Sequence, residues 1–103
     1  MMKSYTKAAA ELKEALRFSP GLARPHTDLA DVLAITGRDD DAAREYAVAI
    51  QANPREYDAH FGLGEILVRR GRTQEAVVHF EAAAQSADPE QRDAARARIA
   101  ALR

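Results

Sequence analysis

The sequence contains no cysteine, carries almost no net charge and has no long apolar run. Without cysteine the chain has no disulfide, no thiolate metal ligand and no cysteine nucleophile. Its 15 basic and 16 acidic residues give a formal net charge of −1, and the lack of Lys/Arg clusters argues against nucleic-acid binding. No stretch approaches the roughly 20 apolar residues that a membrane-spanning helix needs. We expect a soluble protein, with the cytoplasm favoured although the absent thiols leave the compartment open.

Glycine and proline divide the sequence into short segments in which apolar residues recur at three- and four-residue spacing. Leu29, Val32 and Leu33 form one such helical stripe, and the alternation typical of strands persists nowhere. Gly37 and Gly71 suit the left-handed position after a helix. The pattern predicts six helices, which must be antiparallel neighbours because their loops are short. The predicted ranges are 4–18, 23–36, 39–52, 57–70, 73–86 and 90–102, with Asp39 and Thr73 as expected N-caps.

The sequence repeats itself after 34 residues. This shift superposes apolar, small and turn residues of one segment on their counterparts in the next. The matching pairs are His26 and His60, Leu29 and Leu63, Leu33 and Leu67, Gly37 and Gly71, Arg38 and Arg72, Ala42 and Ala76, Tyr46 and Phe80, and Ala49 and Ala83. A 34-residue period built from two helices and a turn is the pattern of the tetratricopeptide repeat.

The chain resembles the tetratricopeptide repeat family over essentially its whole length. The family's small residues, bulky apolar position and terminal proline all recur in register, the last as Pro20, Pro54 and Pro89. The resemblance implies an all-α fold, a right-handed superhelix of helix-turn-helix repeats. It divides the single domain 1–103 into a half repeat (1–22, second helix only), two repeats (23–56 and 57–90) and a capping helix (91–103). The last repeat has one extra residue before Pro89.

The residue types for catalysis or metal binding are few and poorly spaced. His26 and His60 replace an aromatic residue of the family and are interpreted as packing residues. The run 39–41 is acidic but lacks the glycine and terminal glutamate of a calcium loop, and acids suit a helix start. No nucleophile elbow and no glycine-rich phosphate loop is present. The sequence therefore predicts no enzyme, no metal ion and no cofactor.

The resemblance implies a binding groove, because in this family the first helix of each pair lines a concave surface that holds partner segments. Here Asp31 and Glu65 stand where relatives that bind acidic chaperone tails carry basic or amide residues, which argues against that ligand class. The acids around Phe61 predict a protein or peptide partner with a basic residue next to an apolar one. Carried over residue by residue, the expected groove residues are Arg24, Thr27, Asp28, Asp31, Ile35, Asp58, Phe61, Gly62, Glu65, Arg69 and Arg96.

The N-terminal segment supports an alternative function, in which the protein assembles with itself or docks on a neighbouring domain. Residues 4–18 carry more apolar surface than one neighbouring helix is expected to cover, and an uncovered end of a solenoid tends to stack. The residues expected to mediate such self-association into a homo-oligomer are Tyr5, Ala9, Leu12 and Leu16.

Overall fold

The computed structural model describes residues 2–103, with side chains from residue 4 onward. Within this range it contains six α-helices and no strand, which confirms the predicted all-α class. In chain order they are α1 Met2–Phe18, α2 Ala23–Ile35, α3 Asp39–Ala52, α4 Tyr57–Arg69, α5 Thr73–Ala83 and α6 Pro89–Leu102. No helix in residues 2–103 combines the length and apolar character needed to cross a membrane.

Each helix packs on the next one along the chain, and the most extensive contacts are those of α2 with α3 and of α4 with α5. The first helices of these pairs also touch sideways, α2 with α4 and α4 with α6. The result is an elongated stack measuring 39 × 25 × 21 Å. This arrangement confirms the helical-repeat solenoid expected from the sequence, and it brings α2, α4 and α6 onto one side.

The turns after α2 and α4 are built by Gly37 and Gly71, whose φ angles are 82° and 74°. After α2 the amide of Gly37 donates to the Ala34 carbonyl (3.1 Å) and that of Arg38 to the Leu33 carbonyl (2.8 Å). This pair of bonds is the Schellman motif, which needs a left-handed residue that glycine supplies without strain. The predicted role of both glycines is confirmed.

The predicted N-caps are wrong by one residue. Asp39 and Thr73 are the first residues of α3 and α5, and the caps are Arg38 and Arg72, neither of which makes a side-chain capping bond. The reason is that the amide of Arg38 already closes the turn behind it, so the next helix starts without a spacer.

The end of α5 lies at Ala83, three residues before the predicted end. The amides of Gln85 and Ser86 donate to carbonyls three residues earlier, so the last turn tightens and the helix stops. Ser86 is buried and accepts a bond from the Asp88 amide at 3.1 Å. Asp88 in turn caps α6 by accepting from the Glu90 amide at 3.0 Å.

Tyr46 and Phe80 have matching roles in the two repeats, since both are almost fully buried on the second helix of their pair. The Phe80 ring occupies space that Gly64 leaves open, because a Cβ there would lie 2.8 Å from two ring carbons. The Tyr46 ring covers Gly62 in the same way. A close fit between a ring and a glycine on a facing helix fixes how the helices stack.

Candidate functional site

A groove lies on the side of the stack formed by the first helices α2, α4 and α6. It encloses about 420 Å³, and we call it the acidic groove. Four of the residues predicted from the sequence line it, and four others complete it from the start of the last helix. Its lining residues are Asp31, Asp58, Phe61, Gly62, Asp88, Glu90, Gln91 and Ala94.

The acidic groove takes its name from four carboxylates among these residues, which include no lysine or arginine. Asp58 is held at both oxygens, by Arg24 (2.5 Å) and by Gln91. Arg24 also pairs with Asp28 at 3.1 Å. The pKa of Arg24 is raised, mainly because of its hydrogen bond to Asp58. Glu90 has no side-chain partner among residues 4–103. The groove therefore keeps an excess of negative charge.

Asp31 lies at the floor of the acidic groove and accepts a hydrogen bond from the Tyr46 hydroxyl. Burial raises the pKa of Asp31 above its usual 3.8, and the nearby Asp28 and Asp58 raise it further, while the Tyr46 bond opposes them. Burial and the same bond raise the pKa of Tyr46. The contact ties α2 to α3 directly beneath the groove.

Replacing Tyr46 with phenylalanine should lower the free energy of unfolding by about 1–3 kcal/mol, because a half-buried carboxylate loses its donor. It should also raise the pKa of Asp31 further, since the lost bond is what lowers it. Urea unfolding and NMR titration of the Asp31 carboxyl measure the two effects. An unchanged Asp31 pKa in this variant would contradict the role given to the hydroxyl.

Phe61 and Gly62 form the apolar part of the groove. The Phe61 ring meets Phe80 edge to face, with ring centres 5.2 Å apart, and it stays partly exposed. At Gly62 a side chain would collide with Tyr46, because three atoms of that residue lie within 2.7 Å of the Cβ position. Because Gly62 has no side chain, the groove stays open next to the Phe61 ring.

Glu65 and Arg69, two predicted groove residues farther along α4, make ion pairs with other helices. Arg98 of α6 pairs with Glu65 Oε2 at 2.5 Å, whereas Glu65 Oε1 is buried and has no partner among residues 4–103. Arg69 binds both oxygens of Asp39 at 2.9 and 3.1 Å. This fork raises the pKa of Arg69 and lowers that of Asp39. Arg69 therefore secures α4 to α3.

Three other predicted groove residues lie elsewhere. Thr27 is fully buried and bonds to the Ala23 carbonyl at 3.3 Å, so its assignment to a surface is wrong. Ile35 is 62% exposed at the end of α2 but does not line the acidic groove. Arg96 lies about 160° around α6 from Arg98, given 3.6 residues per turn. Arg98 thus occupies the place that we expected for Arg96.

The residues predicted for self-association are partly buried, because α1 turns them toward α2. Three of them pack against the main core: Ala9, Leu12 and Leu16. Tyr5 is likewise only partly exposed. The large apolar residues left exposed near this end are Phe18 and Leu22. Self-association through α1 therefore stays a prediction, with less apolar surface than the sequence indicated.

His26 and His60 are both buried, and each directs its Nε2 atom to a proline carbonyl six residues earlier. The distances are 2.8 Å to Pro20 and 3.0 Å to Pro54. Each imidazole thus binds the loop before its own helix. No three His, Asp or Glu side chains in residues 2–103 form a group that could hold a metal ion.

The second ring nitrogen of each histidine meets a different group in the two repeats. His26 Nδ1 lies 2.9 Å from Glu45, whereas His60 Nδ1 lies 3.1 Å from His79 Nδ1. Burial, followed by the charge of His60, lowers the pKa of His79. One of the two facing nitrogens must carry the proton of this hydrogen bond.

Comparison with known proteins gives one family. The family model for the tetratricopeptide repeat matches residues 27–92, a range that includes α3, α4 and α5 completely and most of α2. A search of curated proteins gave no match. The matched range contains Asp31, Phe61 and Glu90 and so covers much of the acidic groove.

Proposed function

Because the chain belongs to the tetratricopeptide repeat family, we propose that it is an interaction module that holds a partner protein's segment in the acidic groove, in an adaptor or scaffold role. Repeats of this family generally mediate protein–protein interaction and are generally non-catalytic. The segment we propose carries a basic residue next to an apolar one. Its basic group lies near Asp31 and Glu90, and its apolar group packs on Phe61.

This proposal is based on one observation: unpaired carboxylates and a partly exposed aromatic ring line the same groove. Asp58 is already neutralised by Arg24, but Glu90 is unpaired and Asp31 has one oxygen beyond its bond to Tyr46. A Lys or Arg from a partner would supply the missing positive charge. An adjacent apolar side chain would remove the exposed part of Phe61 from water.

The size of the groove limits the affinity. Three helices spaced about 8–10 Å apart span roughly 20 Å, which accommodates about six residues of extended peptide at ~3.3 Å each. Such a contact buries less than the ~1,200 Å² of a standard interface. We therefore expect micromolar or weaker binding, which multivalent partners would strengthen.

A random-peptide display library tests the proposal without a known partner. The peptides enriched on the wild type should carry Lys or Arg beside Leu, Ile, Met or Phe. Asp31→Asn combined with Glu90→Gln should bind the enriched peptides about tenfold more weakly, since two ion pairs are lost. The amide of the first substitution still accepts the Tyr46 bond, so the fold should be retained.

The matched control combines Asp93→Asn with Glu81→Gln. These residues are exposed on α6 and α5 and lie outside the acidic groove. The control removes the same number of negative charges as the Asp31/Glu90 variant. The control should bind within about twofold of the wild type. Enrichment of acidic peptides, or equal weakening by both double variants, would show that the groove does not select basic segments.

A further inference from the structure

A second groove lies between α1 and α3. Among the described residues no Cα atom of α1 lies within 8 Å of one of α3, and Leu29 and Leu33 of α2 form the floor of the gap between these helices. Two adjoining cavities of about 380 and 460 Å³ share Lys13, Leu33 and Arg38. We call this surface the basic groove, defined by Lys13, Leu29, Leu33, Arg38 and Val48.

Lys13 and Arg38 are exposed cations without a side-chain partner in residues 4–103. The carboxylates that also line the groove are already engaged. Asp41 pairs with Arg44, and Glu45 lies 2.9 Å from a ring nitrogen of a buried histidine. An incoming carboxylate would therefore meet two positive groups that the protein does not neutralise itself.

The internal repeat shows that this charge is not a general property of the fold. The residues 34 positions after Lys13 and Arg38 are Ala47 and Arg72. Arg72 is paired with Glu75, its Nε donating at 2.9 Å, whereas Arg38 is unpaired. The equivalent positions of the next repeat therefore lack the pair of unpaired cations that lies beside α1.

Apolar surface lies next to these cations. Val48 forms a wall and is 40% exposed, whereas Leu29 and Leu33 at the floor are only 3% and 6% exposed. A leucine-sized side chain placed over Val48 would remove apolar surface from water on both sides. The groove is partly open to solvent, so a side chain of a peptide can enter it.

We propose that the basic groove binds a partner segment that carries acidic residues next to leucine-class residues. The guanidinium of Arg38 can bind a carboxylate through two parallel hydrogen bonds, and Lys13 adds a second positive charge. The apolar side chain of the segment packs on Val48. Since the acidic groove has the opposite charge, one molecule holds two segments of opposite sign, each in its own groove.

The test uses an end-capped, fluorescent nine-residue peptide with three glutamates and two leucines in a glycine–serine background. Binding is measured by anisotropy at about 50 mM salt, where ionic screening is modest. Lys13→Gln combined with Arg38→Gln should weaken binding about tenfold. Lys7→Gln combined with Arg55→Gln removes the same charge from exposed positions outside the groove and should leave binding within about twofold. A peptide with serine in place of leucine should bind less tightly than the parent.

Three results would overturn the proposal. The first is equal binding of the acidic peptide by the wild type and the Lys13/Arg38 variant. The second is an equal loss in the two double variants, which would indicate only a diffuse charge effect. The third would come from sedimentation. If the wild type forms dimers and the Lys13/Arg38 variant does not, a second copy of the chain occupies the basic groove.

Discussion

Replacing Phe80 with alanine is expected to lower the free energy of unfolding by about 3–5 kcal/mol. The Phe80 ring is fully buried and packs with Leu67, Phe61, Ile99 and other side chains of α4 and α6. It therefore joins three helices, and its loss leaves a void. Gly64 has no side chain that could move into that void, which argues for the upper part of the range.

The control for this prediction is Val78→Ala on the same helix. Val78 is 63% exposed, so its truncation should change the free energy of unfolding by less than about 0.5 kcal/mol. Urea unfolding followed by circular dichroism measures both variants. A small loss for Phe80→Ala, comparable to that of Val78→Ala, would contradict the stacking of α4, α5 and α6 through this ring.

Acidification below about pH 6.5 should destabilise the protein through His79. Its pKa is lower in the folded protein than its ordinary 6.5, so the unfolded chain binds the proton more readily. The contribution of His79 to the free energy of unfolding is fully present above pH 6.5. It is lost as the pH falls through the pKa that His79 has in the folded protein. The groups that face His79 are His60 on α4, which disfavours the proton, and Glu75 on its own helix, which favours it.

The substitution His79→Glu should remove this trend, and it copies the first repeat, where Glu45 faces His26. The variant has no His79, so the folded state no longer loses stability through that group as the pH falls. Between pH 7.5 and 5.5 the stability of this variant relative to wild type should therefore rise. Urea unfolding at both pH values measures the change. Parallel pH profiles for the two proteins would show that the His60–His79 contact does not govern the acid response.

Much of the fold could be predicted because turn residues and apolar periodicity agree along most of the chain. The bounds of α3 were predicted without error, since Gly37 precedes it and Pro54 follows it. The end of α5 was missed because no glycine or proline stands between Gly71 and Pro89, and the tightened last turn has no local signal. The division of the chain into repeats and a cap stays a prediction.

The groove was predicted in part, because register alone indicates which residues share a face. Asp31, Phe61 and Gly62 follow from the first helices of the two repeats. From α6 the sequence predicted Arg96, and Gln91 and Ala94 were missed since lateral partners are 34 residues apart between α2 and α4 but 33 apart between α4 and α6. A shift of one residue turns a helix by about 100°, which places Arg98 instead of Ile99 beside Glu65.

Pairing between charges was not predictable from the sequence. Arg24 and Arg69 were expected to flank the binding surface, and both instead bind carboxylates of the protein itself. Conversely, Lys13 and Arg38 carry no sequence signal that distinguishes them from paired cations. Whether a charged side chain is paired depends on which side chains meet between helices, and the sequence alone does not specify those contacts.

An NMR titration of the isotopically labelled protein with a basic peptide tests the central claim most directly. The peptide has three lysines and two leucines in the same glycine–serine background as the acidic one. We predict that amide shifts move at Asp31, Phe61, Gly62, Gln91 and Ala94 and that the Asp31/Glu90 double variant largely loses them. Shifts confined to α1 and α3, or identical shifts in that variant, would contradict an acidic groove that grips basic segments.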